Sequence, residues 1–174
     1  SGVAHYDTEK DAVYMPRQKD FEHYNDYVQE TLRQIISATG HQQRLAREGM
    51  VMKNGTAPSE DAIKRERLVA ELASGVKMLE LGLPARLSEE GLRQTDYWVR
   101  ELKENPCLID AVESDVNNAL LVIRKAEQGE KIEYSTMLNQ RETKELMDRL
   151  PKHYLIADEI KQHPDKDNKT IVLV

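Results

Sequence analysis

Apolar residues that return at helical spacing, interrupted by glycine and proline stops, constrain this chain more than any other feature. From about Asp20, the residues Phe21, Tyr24, Val28, Leu32, Ile35 and Ile36 recur every three or four positions, and Asp26, Gln29, Glu30, Arg33, Gln34 and Ser37 take the other face. Such a stripe buries one side of a helix, and Gly40 supplies its stop. A second helix is expected from Ser59, whose hydroxyl can cap it while Glu60 and Asp61 favour its positive end. Gly82 and Pro84 close it, and Val69, Leu72, Ala73, Val76 and Leu79 form its expected buried stripe. Ser88 opens a third helix, "SEEGLRQTDYWVRELKE", packed through Tyr97, Trp98, Val99 and Leu102. Asn105-Pro106 reads as the cap and first turn of a fourth, running to about Gln128.

The flanks follow other periods. "AHYDTEKDAVYMP" alternates apolar and polar residues about the polar tip Asp7 to Asp11, the pattern of a hairpin with one buried face. "EGMVMKNGTAPS" is a loop with a turn at Asn54-Gly55, of the kind that often borders a site. Beyond Gly129, "KIEYSTM" suggests a short strand, "NQRETKELMDRL" a helix, and "HYLIADEI" with "KTIVLV" a strand pair. The expected organisation is an α+β domain over residues 3–130, a hairpin followed by about four helices. A small α/β extension, a helix and a strand pair, occupies residues 131–174.

A chain of 174 residues, 39% apolar and 32% charged, can bury one proper core with a heavily solvated surface. The net charge of −6 provides no basic field to draw it onto nucleic acid. One cysteine, Cys107, excludes an internal disulfide and fits a reducing, cytoplasmic setting. No apolar run approaches the roughly 18 residues of a membrane span, so no membrane partner is expected. Ser1-Gly2 reads as a cleavage scar, and the chain is expected to be a fragment of a longer polypeptide.

Four pieces in order carry a further signal: "VYMP" before the first helix, "TGHQQRL" after it, "RERLVAEL" in the second, and "YWVRELKENP…A…S…NNA" across the third and fourth. Together, over residues 4–125, they resemble the zincin-like metallopeptidase half of the ArdC-type antirestriction proteins of plasmids and conjugative elements, conjugative transposons among them. In that family the first helix carries His-Glu-x-x-His, separated by one residue from Thr-Gly-His. Counting back from Thr39, Gly40 and His41 places Arg33 and Ser37 at the histidine positions and Gln34 at the glutamate. Two histidines four apart on a helix can hold one zinc ion while the glutamate takes a proton from bound water. Arginine stays protonated and repels the cation, serine is a poor zinc ligand, and glutamine is no general base.

The resemblance also implies a glutamate ligand on the second helix. Its spacing there leaves Glu66 and Glu71 as candidates, with Arg67 at the position a ligand would hold. The expectation is a pseudoenzyme: no catalytic residues, no cofactor, and Arg33, with Arg67 as a second candidate, pairing with the leftover carboxylates. His41 is read first as a loop hydrogen-bonder and only residually as a metal ligand; Glu66 and Glu71 also suit ordinary surface ion pairs. Arg44, Arg47 and Lys53 could touch phosphate, although the net charge argues against it, and Cys107 is expected to be buried. The expected partner is a protein or a neighbouring domain of a longer chain, with DNA contact only through an N-terminal domain outside this sequence. Against this stand an active peptidase with an atypical metal site built on His41, Glu66 and Glu71, and a protein-interaction module adding its C-terminal strands to a partner's sheet.

Overall fold

In a computed structural model, which describes residues 2–138 apart from Thr136, a two-stranded hairpin precedes four α-helices. Strands β1 (His5–Asp7) and β2 (Ala12–Tyr14) pair antiparallel with Tyr6 opposite Val13. Helices α1 (Tyr24–Thr39), α2 (Glu60–Glu80), α3 (Glu89–Glu104) and α4 (Cys107–Glu127) follow, and α2 packs against all three others. This is the α+β architecture expected from the sequence.

The ends obey local chemistry. Ser59 and Ser88 cap α2 and α3 by accepting the amides of Ala62 and Gly91. Gly82 and Gly129, at φ +71° and +70°, end α2 and α4 in the left-handed conformation. The Leu83 N–H returns to Met78 O, and Glu130 N–H to Lys125 O, which satisfies otherwise orphaned carbonyls. Asn54 and Gly55, both at positive φ, form the tight turn between Lys53 and Thr56. At α4 the expected cap is absent: Asn105 caps nothing through its side chain, Pro106 is itself helical, and Cys107 is exposed rather than buried.

The core lies where α1, α2 and α4 meet, around Ile36, Val69, Ala73, Val116, Ala119 and Leu120, with Trp98 closing it from α3. Two stripes differ from expectation. On α1, which begins at Tyr24 after a 3₁₀ turn at Gln18–Asp20, Tyr24 and Ile35 are exposed and Gln29 is buried. On α2, Val69 and Ala73 are buried, yet Leu72, Val76 and Leu79 are exposed, the last at 67%, and Glu66, Glu71, Ser74 and Lys77 are buried instead. A helix packed on three sides has a broad buried arc, and ion pairing lets charged residues occupy part of it. "KIEYSTM" is not a strand: Tyr134, Ser135, Met137 and Leu138 are helical, and Ile132, Tyr134 and Met137 pack on the core. The helix expected at "NQRETKELMDRL" and the two later strands lie outside the described residues.

The hairpin's inner face is only half covered, and one polar cluster attaches it. Tyr6 Oη donates to Asp11 Oδ1 at 2.5 Å, and Arg44 reaches Asp11 Oδ2 at 3.1 Å and Tyr6 Oη at 3.0 Å. Arg44 Nε also bonds Ala38 O at 2.7 Å, which ties the hairpin to the end of α1. Burial, then the bond to Asp11, pushes the Tyr6 phenol up to about 12. The Arg44 bonds, followed by that of Tyr6, hold the Asp11 carboxyl well below its usual 3.8. A depressed folded pKa stabilises the attachment above 3.8 and loses that contribution as pH falls through the folded value. Protection of the β1 and β2 amides against exchange should therefore be greatest above 3.8 and fall progressively as pH drops below it, and Asp11→Asn should make the hairpin less protected and remove this acid step.

Candidate functional site

Two buried arginine–glutamate pairs flank α2, and they use different glutamates. Glu66 and Glu71 lie five residues apart, roughly 140° around the helix, so they cannot face the same neighbour. Glu66 faces the loop that follows α1. Glu71 faces α1 itself and the start of α3.

The first pair depends on a reversal of the chain. After Gly40 the backbone closes through Leu45 N–H to Thr39 O at 3.0 Å, Ala46 N–H to His41 O at 3.1 Å and Arg47 N–H to Gly40 O at 3.0 Å. Ala46 takes the left-handed conformation at φ +46°, which turns the Arg47 side chain back into the protein. There Arg47 is 1% exposed and grips Glu66 with two prongs, Nε to Oε2 and Nη2 to Oε1, both 2.7 Å. Its remaining donors reach Thr39 Oγ1 at 2.8 Å and Ile36 O at 2.6 Å. Two glycines make room. A Cβ at Gly40 would stand 2.7 Å from the Arg47 guanidinium, and one at Gly49 would stand 2.5 Å from the Ala62 carbonyl oxygen. Desolvation pushes the Glu66 carboxyl up, and the Arg47 charge and hydrogen bonds oppose that.

The second pair sits where helix α3 begins. Arg33 Nε donates to Glu71 Oε2 at 3.0 Å, Nη1 to Glu30 Oε2 at 3.0 Å and Nη2 to Arg86 O at 2.7 Å. Glu71 also accepts the Ser88 amide, at 3.3 Å and 3.2 Å to its two oxygens, and the Ser88 hydroxyl. The carboxylate, in a residue only 5% exposed, thus lies against the positive end of α3 with a guanidinium on its other side. Gly91 permits this approach, since a Cβ there would come within 2.9 Å of the carboxylate. Gln29 holds the connecting segment in place: its amide donates to Arg86 O at 2.7 Å and accepts Arg86 N–H at 2.9 Å, as a neighbouring strand would.

The residues singled out in the sequence therefore separate. Arg33 meets Glu71. Arg67 does not join them but pairs with Glu90 at 3.0 Å on the surface, because it projects from a different side of α2. Gln34 donates to Glu30 Oε1 at 2.7 Å. Ser37 follows one turn after Arg33 on α1. His41 accepts the Gln43 amide through Nδ1 at 3.2 Å and meets the edge of Tyr6, on the hairpin side. Arg44 and Arg47, possible phosphate contacts by sequence, are taken by Asp11 and Glu66, and Lys53 pairs with Glu48 at 3.2 Å. Among the described residues, no three His, Cys, Asp or Glu side chains group as metal ligands. No described helix is long and apolar enough to cross a membrane.

A family model for zincin-like metallopeptidases, MPTase-PolyVal, matches residues 1–114. The chain belongs to this zincin-like family. Its fold is similar to the metal-free crystal structure of the antirestriction protein ArdC from plasmid R388, with a TM-score of 0.63 and 21% sequence identity. The match covers 75% of this chain and 45% of that one, so the chain spans less than half the length of that protein. No curated protein matches it. Arg47, Gln29 and the Ser88 bonds to Glu71 were not legible in the sequence, since each acts through a contact distant in sequence. The one local hint was the pair of small residues, Gly40 and Gly49, bracketing Arg47.

Proposed function

We propose that this zincin-like domain is a pseudoenzyme whose metal position is closed by the Arg33–Glu71 ion pair, and that it acts by binding. The 3.0 Å contact between Arg33 Nε and Glu71 Oε2 carries the reading. The family resemblance puts a histidine at position 33, and a guanidinium there offers no lone pair, brings its own positive charge and occupies the carboxylate nearest to it. Gln34 supplies no base, and Ser37 no strong ligand. The residues present do not fit a zinc ion, so no hydrolytic step is derived for this chain.

The domain belongs, on this reading, to a larger antirestriction-related protein of a mobile genetic element such as a conjugative transposon, working in the bacterial cytoplasm. The length of its structural relative leaves room for a second domain. Contact with DNA would fall to that domain, since the net charge of −6 gives this chain no attraction for phosphate. Its own partner is a protein or the neighbouring domain.

Zinc titration followed by calorimetry tests the closed site. The natural chain should bind no stoichiometric zinc and should cleave no peptide with Zn²⁺ or Mn²⁺ added. The combined change Arg33→His, Gln34→Glu and Ser37→His frees Glu71 and should gain tight one-to-one binding. Stoichiometric zinc in the natural chain, with peptidase activity abolished by chelator, would overturn the proposal.

A further inference from the structure

We infer that a cavity of about 260 Å³ between α2, α3 and the start of α4 receives a single basic side chain, arginine or lysine, presented by a protein partner. None of Arg33, Glu71 or Ser88 lines it, so the inference stands whether or not the metal position is closed. Its walls combine an apolar body with a negative rim. Leu68, Trp98 and Leu102 supply the apolar surface, and Asp61 and Glu101 bring carboxylates.

Charge accounting identifies the ligand's sign. Glu48 and Arg65 also line the cavity and pair with each other at 2.5 Å, with Lys53 on the other Glu48 oxygen at 3.2 Å, so the wall brings three carboxylates against one guanidinium; Lys64 nearby is matched by Glu60 at 2.6 Å. Asp61 has no cationic partner among the described residues; it accepts only the Tyr97 hydroxyl at 2.8 Å. Glu101 is half-buried, and its carboxylate has neither a hydrogen bond nor an ion pair among the described residues. A half-buried carboxylate without a counter-charge in a cavity walled by an indole leaves a place for a cation with an apolar stem. Lys64 Nζ lies 4.4 Å from the centroid of the Tyr97 ring and already takes one face of it, which leaves the indole of Trp98 as the other aromatic surface of the wall. Size narrows the choice further. The volume lies below the roughly 300–1,000 Å³ of sites for drug-sized ligands, and suits one side chain better than a nucleotide. The two unmatched carboxylates would also repel phosphate.

Trp98 is the only tryptophan in the chain and lies in the cavity wall, so its fluorescence reports occupancy directly. Titrating the full chain with N-acetyl-arginine methylamide or N-acetyl-lysine methylamide should give a saturable change that weakens with added salt. The citrulline analogue, which keeps the shape of arginine and loses its charge, should give none. Glu101→Gln should weaken binding about tenfold. Because that carboxylate makes no bond in the fold, the variant should keep the parent's thermal midpoint, and Asp61→Asn provides a second reading from the opposite wall. No saturable response to either cation, an equal response to citrulline, or unchanged affinity in both variants would overturn the inference.

Discussion

Replacing Arg47 with methionine should lower folding stability by about 3–5 kcal/mol, the cost of leaving a buried carboxylate without its counter-charge. Glu66 would lose both prongs of its clamp and Thr39 Oγ1 would lose the donor it accepts, while Ile36 O would keep only the Thr39 hydroxyl. Arg47→Lys should recover only part of the loss, because an ammonium group cannot reproduce a planar fork that serves three acceptor groups at once. Combining Arg47→Met with Glu66→Leu should restore much of it, since the expensive species is the unpaired charge and not the missing bond. Urea unfolding midpoints of the three variants measure this ordering. A single Arg47→Met variant as stable as the parent would show that water reaches Glu66.

Gly49→Ala should be the most damaging change of a single methyl group, costing about 1–3 kcal/mol or more. The new Cβ would stand 2.5 Å from Ala62 O and 2.7 Å from the Cβ of Glu66, and both atoms belong to the body of α2. Neither can rotate away, so the 3₁₀ turn at Glu48–Met50 must lift off the helix and carry the Arg47 clamp with it. Gly91→Ala makes a useful contrast. Its Cβ would meet the end of the Glu71 side chain, which can swing aside at the cost of the Ser88 and Arg33 bonds. Thermal midpoints should therefore fall further for position 49 than for position 91. The zinc response of the Arg33→His, Gln34→Glu and Ser37→His chain should suffer more from the change at 91.

The two glutamates of α2 show how far the candidate site could be read in advance. Sequence spacing marked both as candidates near Arg33, and no local rule separates them. The fold does so through helical phase: Glu71 turns toward α1 and the amide end of α3, whereas Glu66 turns toward a loop whose arginine comes from nineteen residues upstream. The apolar stripes misled for a related reason. Periodicity finds the side of a helix that avoids water when one side is buried, but α2 touches three neighbours. Its exposed arc carries Leu72, Val76 and Leu79, and ion pairs compensate charges within the buried one.

What the sequence by itself determined is what neighbouring residues decide together. Serine caps at 59 and 88, glycine stops at 82 and 129, the Asn54-Gly55 turn and the hairpin alternation set the order and most ends of the elements, because capping and turn formation act within a few residues. Only the tertiary structure decided which charges meet. Whether Arg47 is a surface cation or the largest fully buried side chain among the described residues depends on where α2 places Glu66 and on the space left by Gly40 and Gly49, and desolvation and pairing energies arise from that assembly alone.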